Sequence, residues 1–136
     1  MAFKKGLEYI WIDTCCINKE NEVETSTAIN SMFDWYQNAD VCFVYLSDLR
    51  PKSKGSTPED FKKCRWFTRG WTLQELIAPR KVLFIDEAWE ERREKTHPHN
   101  LDIICAITRI SRDVICDPNN LESFSAAQKM SWAANR

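Results

Sequence analysis

Glycine is nearly absent, at 3 residues in 136. Loops that cradle phosphates need glycine where the backbone approaches the ligand, and neither G-x-G-x-x-G nor a P-loop pattern occurs. Surplus positive charge is missing as well. Lys and Arg number 19 against 20 Asp and Glu, a formal net charge of −1. Nothing is left over to neutralise a phosphate backbone, so nucleic acid is not an expected partner. No apolar run approaches the ~20 residues needed to span a bilayer. Met1-Ala-Phe-Lys-Lys-Gly6 is not followed by the apolar stretch of a signal peptide, and no membrane association is expected. The two histidines, His97 and His99, stand at no zinc-ligand spacing from any cysteine, and no C-x-x-C occurs. No metal site and no resident cofactor is expected.

The six cysteines do not read as a disulfide framework. Cys15 and Cys16 are adjacent, Cys42 lies in a strand-like apolar run, and Cys105 in a helix-like one. They are expected to be reduced, mostly buried thiols of an intracellular, cytoplasmic protein.

Apolar residues make up 43% of the chain and aromatics 12%, enough for one folded domain. Tyr9-Ile-Trp-Ile-Asp13, Val41–Leu46 and Lys81–Asp86 are short, continuous apolar runs and predict buried strands. Between them Ile29, Met32, Phe33 and Tyr36 recur at helical spacing, behind a cap at Asn21 and Glu24. A short helix is predicted over Thr72–Ala78, stopped by Pro79. Leu101–Ile110 predicts another, with Ile103, Ile107 and Ile110 on one face, and a last helix starts near Ser125 with Gln128 at capping-box spacing. Ser47–Asp60 reads as a loop and Glu87–His99 as a solvated charged stretch. Strands alternating with helices, each strand apolar throughout, predict an α/β fold with a parallel sheet covered by helices on both faces. Three strands are few for such a sheet, so a preceding strand and helix are expected to be missing.

The densest chemistry lies in Cys64-Arg-Trp-Phe-Thr-Arg-Gly-Trp-Thr-Leu-Gln-Glu-Leu76. Thr72 as N-cap and Glu75 at N3 make a capping box, with Trp71 and Leu76 as its hydrophobic staple. The same spacing puts a carboxylate beside an indole, where it can act as acid, base or charge stabiliser. Both alternatives stay open for Glu75. Asp13 ends a predicted parallel strand, where ligands of open α/β sheets gather, and Asp48 has the same position after the next strand. Arg65, Arg69 and Arg80 either grip an anion or pair structurally and stack on Trp66 and Trp71. Trp66 is expected on the core side with Leu73 and Ile77, and Trp71 on the side of Glu75.

Four blocks carry a family resemblance: Tyr9-Ile-Trp-Ile-Asp-Thr-Cys-Cys-Ile-Asn18, Ala28-Ile-Asn-Ser-Met-Phe-Asp-Trp-Tyr36, Arg65-Trp-Phe-Thr-Arg-Gly-Trp-Thr-Leu-Gln-Glu-Leu-Ile-Ala-Pro-Arg80 and Ala127-Gln-Lys-Met-Ser-Trp-Ala133. Together they resemble the fungal heterokaryon incompatibility (HET) domain, and residues 1–136 look like a partial HET domain, truncated at both ends. The family's opening Ser-His-x-Trp-Gly-like block has no counterpart. The resemblance implies a signalling module of fungal non-self recognition that triggers programmed cell death through protein partners or self-association. HET domains are in turn similar to TIR domains of innate immunity, which implies a flavodoxin-like sheet lacking its first strand. Trp71-Thr-Leu-Gln-Glu75-Leu76 resembles the TIR block Trp-Cys-Leu-x-Glu-Leu, with Thr72 in place of the cysteine. In enzymatic TIR domains that glutamate supports cleavage of NAD, so the resemblance implies Glu75 as a catalytic residue with NAD as substrate. Asp13, Arg69 and Trp71 are the candidate ligand-binding residues.

Overall fold

The computed structural model describes residues 5–55, 57–134 and 136. Met1–Lys4, part of the segment read above as no signal peptide, lies outside them. The chain divides into two compact units, residues 1–32 and 33–136.

In the first unit, Tyr9–Ile12 belongs to no helix or strand. Tyr9 is 89% exposed and Ile10 61%. The strand predicted over residues 9–13 is therefore a correction: β-propensity reports fit to a half-buried pleated surface, and among the described residues no second strand supplies the ladder. Asp13 instead opens a single helical turn, α1 (Asp13–Cys16). Asn18 organises the connection that follows. Its backbone N–H donates to Glu24 Oε1 (2.9 Å), and its own Oδ1 accepts from the Glu20 N–H (3.1 Å). Asn21 Oδ1 accepts from the Glu24 N–H (3.1 Å), the cap the spacing predicts for α2 (Glu22–Gln37). Ala28 and Met32 are buried, but Ile29, expected in the core stripe, is 42% exposed.

The second unit holds the sheet. β1 (Cys42–Tyr45) pairs parallel with β2 (Val82–Ile85), in the register Cys42↔Val82 to Tyr45↔Ile85. β3 (Glu91–Glu94) pairs antiparallel with the other edge of β2. The order β1-β2-β3 makes a small mixed sheet within an α/β fold, not the all-parallel sheet expected. β2 is buried at every position because it is central. β3 is the strand that hydropathy hides: as an edge strand it carries charged side chains, Glu91-Arg-Arg-Glu94.

Between β1 and β2 run α3 (Pro58–Lys62), a 3-10 turn at Arg65–Thr68, and α4 (Thr72–Ile77). α3 begins at the end of the predicted loop, where Thr57 and Asp60 form a reciprocal capping box with Pro58 in the first turn. α5 (Pro98–Thr108) ends at Arg109, which takes a left-handed conformation (φ 59°). α6 (Arg112–Cys116) follows, and α7 (Ala126–Ala133) opens with the predicted Ser125–Gln128 capping box. The core gathers Phe84, Leu46, Leu49, Leu76, Ile104, Val114 and Ile115. At its centre Phe61 meets Phe84 edge-on at 5.0 Å and Phe67 at 5.2 Å, and Trp66 meets Phe84 at 5.8 Å.

Candidate functional site

A cleft of about 370 Å³ opens just past the end of β1, lined by Tyr45, Ser47, Asp48, Arg65, Trp66, Thr68 and Arg69. Its position follows from topology. β1 and β2 are parallel, so loops leaving their carboxyl ends collect on one side of the sheet. Asp48 fastens the two walls together. Its Oδ2 accepts from the Arg65 backbone N–H (2.8 Å), with Arg65 Nε 3.9 Å away. The Thr68 hydroxyl donates to the Arg65 carbonyl (2.8 Å), tightening the 3-10 turn. Arg69 is exposed and makes no ion pair among the described residues.

Glu75 is reached through Trp66. The buried indole donates from Nε1 to Glu75 Oε2 at 2.8 Å. The Thr72 hydroxyl lies 2.8 Å from the Trp66 carbonyl and 2.5 Å from the Arg69 carbonyl, donating between them. These bonds replace the expected capping box. The N-cap position is Trp71, without a side-chain cap, and Glu75 turns to the indole. Arg136 Nη1 donates to Thr72 Oγ1 (3.0 Å). Burial lowers the Arg136 pKa, and the Glu75 charge opposes that shift.

The carboxyl end of α4 is held by Lys95, which lies in the stretch expected to be solvated and is 0% exposed. Its Nζ donates to the carbonyls of Leu76 (3.0 Å) and Pro79 (2.5 Å). Burial pulls this amine from 10.5 down to about 8. The Cys42 thiol is pushed up to about 12 by burial and by the Glu75 charge, with Lys95 opposing. Cys64 is likewise raised to about 12, by burial and then by Asp48. Neither is a nucleophile at neutral pH. All six cysteines are unpaired, but only Cys42 and Cys64 are buried, and Cys15, Cys16 and Cys116 are exposed, which corrects the expectation of mostly buried thiols.

Arg65, Arg69 and Asp48 thus share one cleft with Trp66, and Trp66 links it to Glu75. Trp66 is 9% exposed and Trp71 52%. The indole that touches Glu75 is Trp66, and Trp71 is not among the residues lining the cleft. Asp13 belongs to the first unit, where its Oδ1 accepts from the Thr14 N–H (2.7 Å). Arg80 is exposed. His97 caps α5 through Nδ1, which accepts from the His99 N–H (3.3 Å). Among the described residues, no three His, Cys, Asp or Glu side chains group to hold a metal, and no helix is long and apolar enough to cross a membrane.

Sequence reasoning missed Tyr45, Ser47 and Lys95. Position at a strand's carboxyl end was a signal for the first two, and Lys95 had none.

The family model described as heterokaryon incompatibility protein (HET) matches residues 1–63. The vegetative incompatibility protein HET-E-1 of Podospora anserina is 39% identical over 146 residues, covering 99% of this chain. The chain spans about 10% of that protein's length. No solved structure matches the chain.

Proposed function

Because the chain belongs to the heterokaryon incompatibility family, we propose that it is a signalling module of fungal non-self recognition. It triggers cell death in the cytoplasm by assembling with protein partners or with copies of itself. One observation carries this: 39% identity to a vegetative incompatibility protein across 99% of the chain. The exposed Trp71, Trp89 and Met130 support the assembly step, because large apolar side chains in water favour protein contact. The parallel β1–β2 pair, connected through α3 and α4, supports the further proposal of a flavodoxin-like, TIR-like layer. The test is inducible expression of the full-length protein in a filamentous fungus, with cross-linking of extracts. Growth arrest together with cross-linked species larger than the monomer is expected. Arrest with only monomer refutes assembly, and normal growth at high protein abundance refutes the signalling role.

A second proposal is favoured by the Trp66–Glu75 hydrogen bond: a TIR-like NAD nucleosidase with Glu75 at its centre. Cleavage at the ribose anomeric carbon builds oxocarbenium-like positive charge. A carboxylate held in place by an indole N–H can stabilise that charge with little reorganisation. Arg69 and Trp71, in the second unit, are proposed to contact the nucleotide, and Asp13 is proposed separately as a ligand-binding residue of the first unit. Chromatography of NAD after induction tests this. Glu75→Gln keeps an oxygen acceptor for the indole but removes the charge, so NAD loss stops while folding survives. Undiminished NAD loss in that variant refutes the nucleosidase role.

A further inference from the structure

We propose that the cleft past β1 binds a small phosphate monoester whose organic part carries a flat ring, the phosphate meeting Arg69 and Arg65 and the ring packing on Tyr45. This rests on the second reading above in taking Arg69 as a ligand contact, but binding is measured apart from cleavage, so it can fail or hold whatever Glu75 does.

The charge argument comes first. Two arginines and one aspartate line the cleft. Asp48 is already engaged by the backbone and side chain of Arg65. Arg69 is left as a cation with no ion pair among the described residues. A planar guanidinium fork matches phosphate oxygens, and Arg65, lining the same cleft, adds to the attraction.

The ring argument is geometric. Tyr45 lines the cleft and Trp89 does not, yet the two rings stack at 4.6 Å with 17° between their planes. The indole thus covers one face of the phenol ring of a cleft-lining residue and braces it. The Tyr45 hydroxyl is tied to the Glu87 carbonyl at 3.4 Å. Trp89 holds this position with φ 62°, a conformation that bulky side chains avoid. The turn around it is over-determined by buried Asp86. Its Oδ1 accepts from the N–H groups of Ala88 (3.1 Å) and Glu90 (3.0 Å), and its Oδ2 pairs with Arg92 Nη1 at 3.1 Å. A strained residue retained by such a scaffold, whose effect is to fix a ring at the wall of a cleft, fits ligand binding. The volume of about 370 Å³ suits a small molecule.

The test is calorimetric titration of the full chain with phenyl phosphate, with inorganic phosphate and with vesicles containing phosphatidic acid. Phenyl phosphate is expected to bind at least tenfold more tightly than inorganic phosphate. Arg69→Gln, at an exposed position, should weaken both at least tenfold. Trp89→Gly relieves the positive φ while removing the brace. Its thermal midpoint should stay within a few degrees of the wild type, and its affinity for phenyl phosphate should fall to that for inorganic phosphate. Three results each overturn the proposal: no binding of phenyl phosphate, binding unaffected by Arg69→Gln, or binding only to the vesicles. Unchanged phenyl phosphate affinity in folded Trp89→Gly overturns the assignment of the ring to Tyr45.

Discussion

Lys95 should make this protein more stable as the pH rises above neutrality, the reverse of what most lysines do. Its amine is fully buried, and its pKa drops from 10.5 to about 8. Between those values the unfolded chain holds a proton that the folded chain has released. Stability therefore climbs with pH across that window, because the unfolded state binds more protons. At about 1.4 kcal/mol per tenfold change in proton affinity, the full effect is on the order of 3 kcal/mol. Raising the pH from 7 to about 9.5 should realise about 2 kcal/mol of it. The neutral amine keeps two N–H groups, so both bonds to the Leu76 and Pro79 carbonyls survive. Lys95→Met deletes the titration and leaves those carbonyls without their donor. Urea unfolding followed by tryptophan fluorescence at several pH values gives both curves. Groups that titrate in both proteins cancel in the difference, so wild type should gain about 2 kcal/mol on Lys95→Met between pH 7 and about 9.5. Parallel curves would refute the reasoning, and a wild type that loses ground would mean that the carbonyls hold the amine as a cation.

Phe84→Ala empties the centre of the aromatic cluster at a residue 0% exposed, and should cost about 3–5 kcal/mol in chemical denaturation. Asp86→Asn weakens the buried pair with Arg92 and the turn that displays Trp89. It should lower stability by about 3 kcal/mol, the lower part of the range for breaking a buried ion pair, and an unchanged urea midpoint would refute the role given to Asp86. Trp66→Phe keeps most of the buried ring but removes the indole donor to Glu75. It should cost about 1.5 kcal/mol, the low end for a bond to a charged group because Glu75 is half-buried. A double-mutant cycle of Trp66→Phe with Glu75→Gln separates this bond from the other interactions of Glu75, and a coupling energy near zero would refute its contribution.

The parts of the fold legible in the sequence are those whose signal is local. β1 and β2 are contiguous apolar runs, α4 is bounded by Pro79, and α7 carries its capping box in Ser125 and Gln128. β3 was invisible because Glu91–Glu94 owes its strand character to the edge of β2 that it meets and not to its own hydropathy. The segment at residues 9–13 misled for the opposite reason, since it has strand composition without a ladder. At the site, Glu75 stood out but its partner did not. Trp66 lies nine residues away, a spacing with no helical meaning, and the local capping pattern pointed to Thr72 instead. Lys95 is held by two backbone carbonyls, which no side-chain pattern encodes.

The most direct measurement is colony formation by a filamentous fungus after inducible expression of the full-length protein, with protein abundance followed in parallel. A signalling module of heterokaryon incompatibility predicts a sharp loss of viability on induction. Normal colony numbers at high protein abundance, in a strain carrying its incompatible partner, would contradict it.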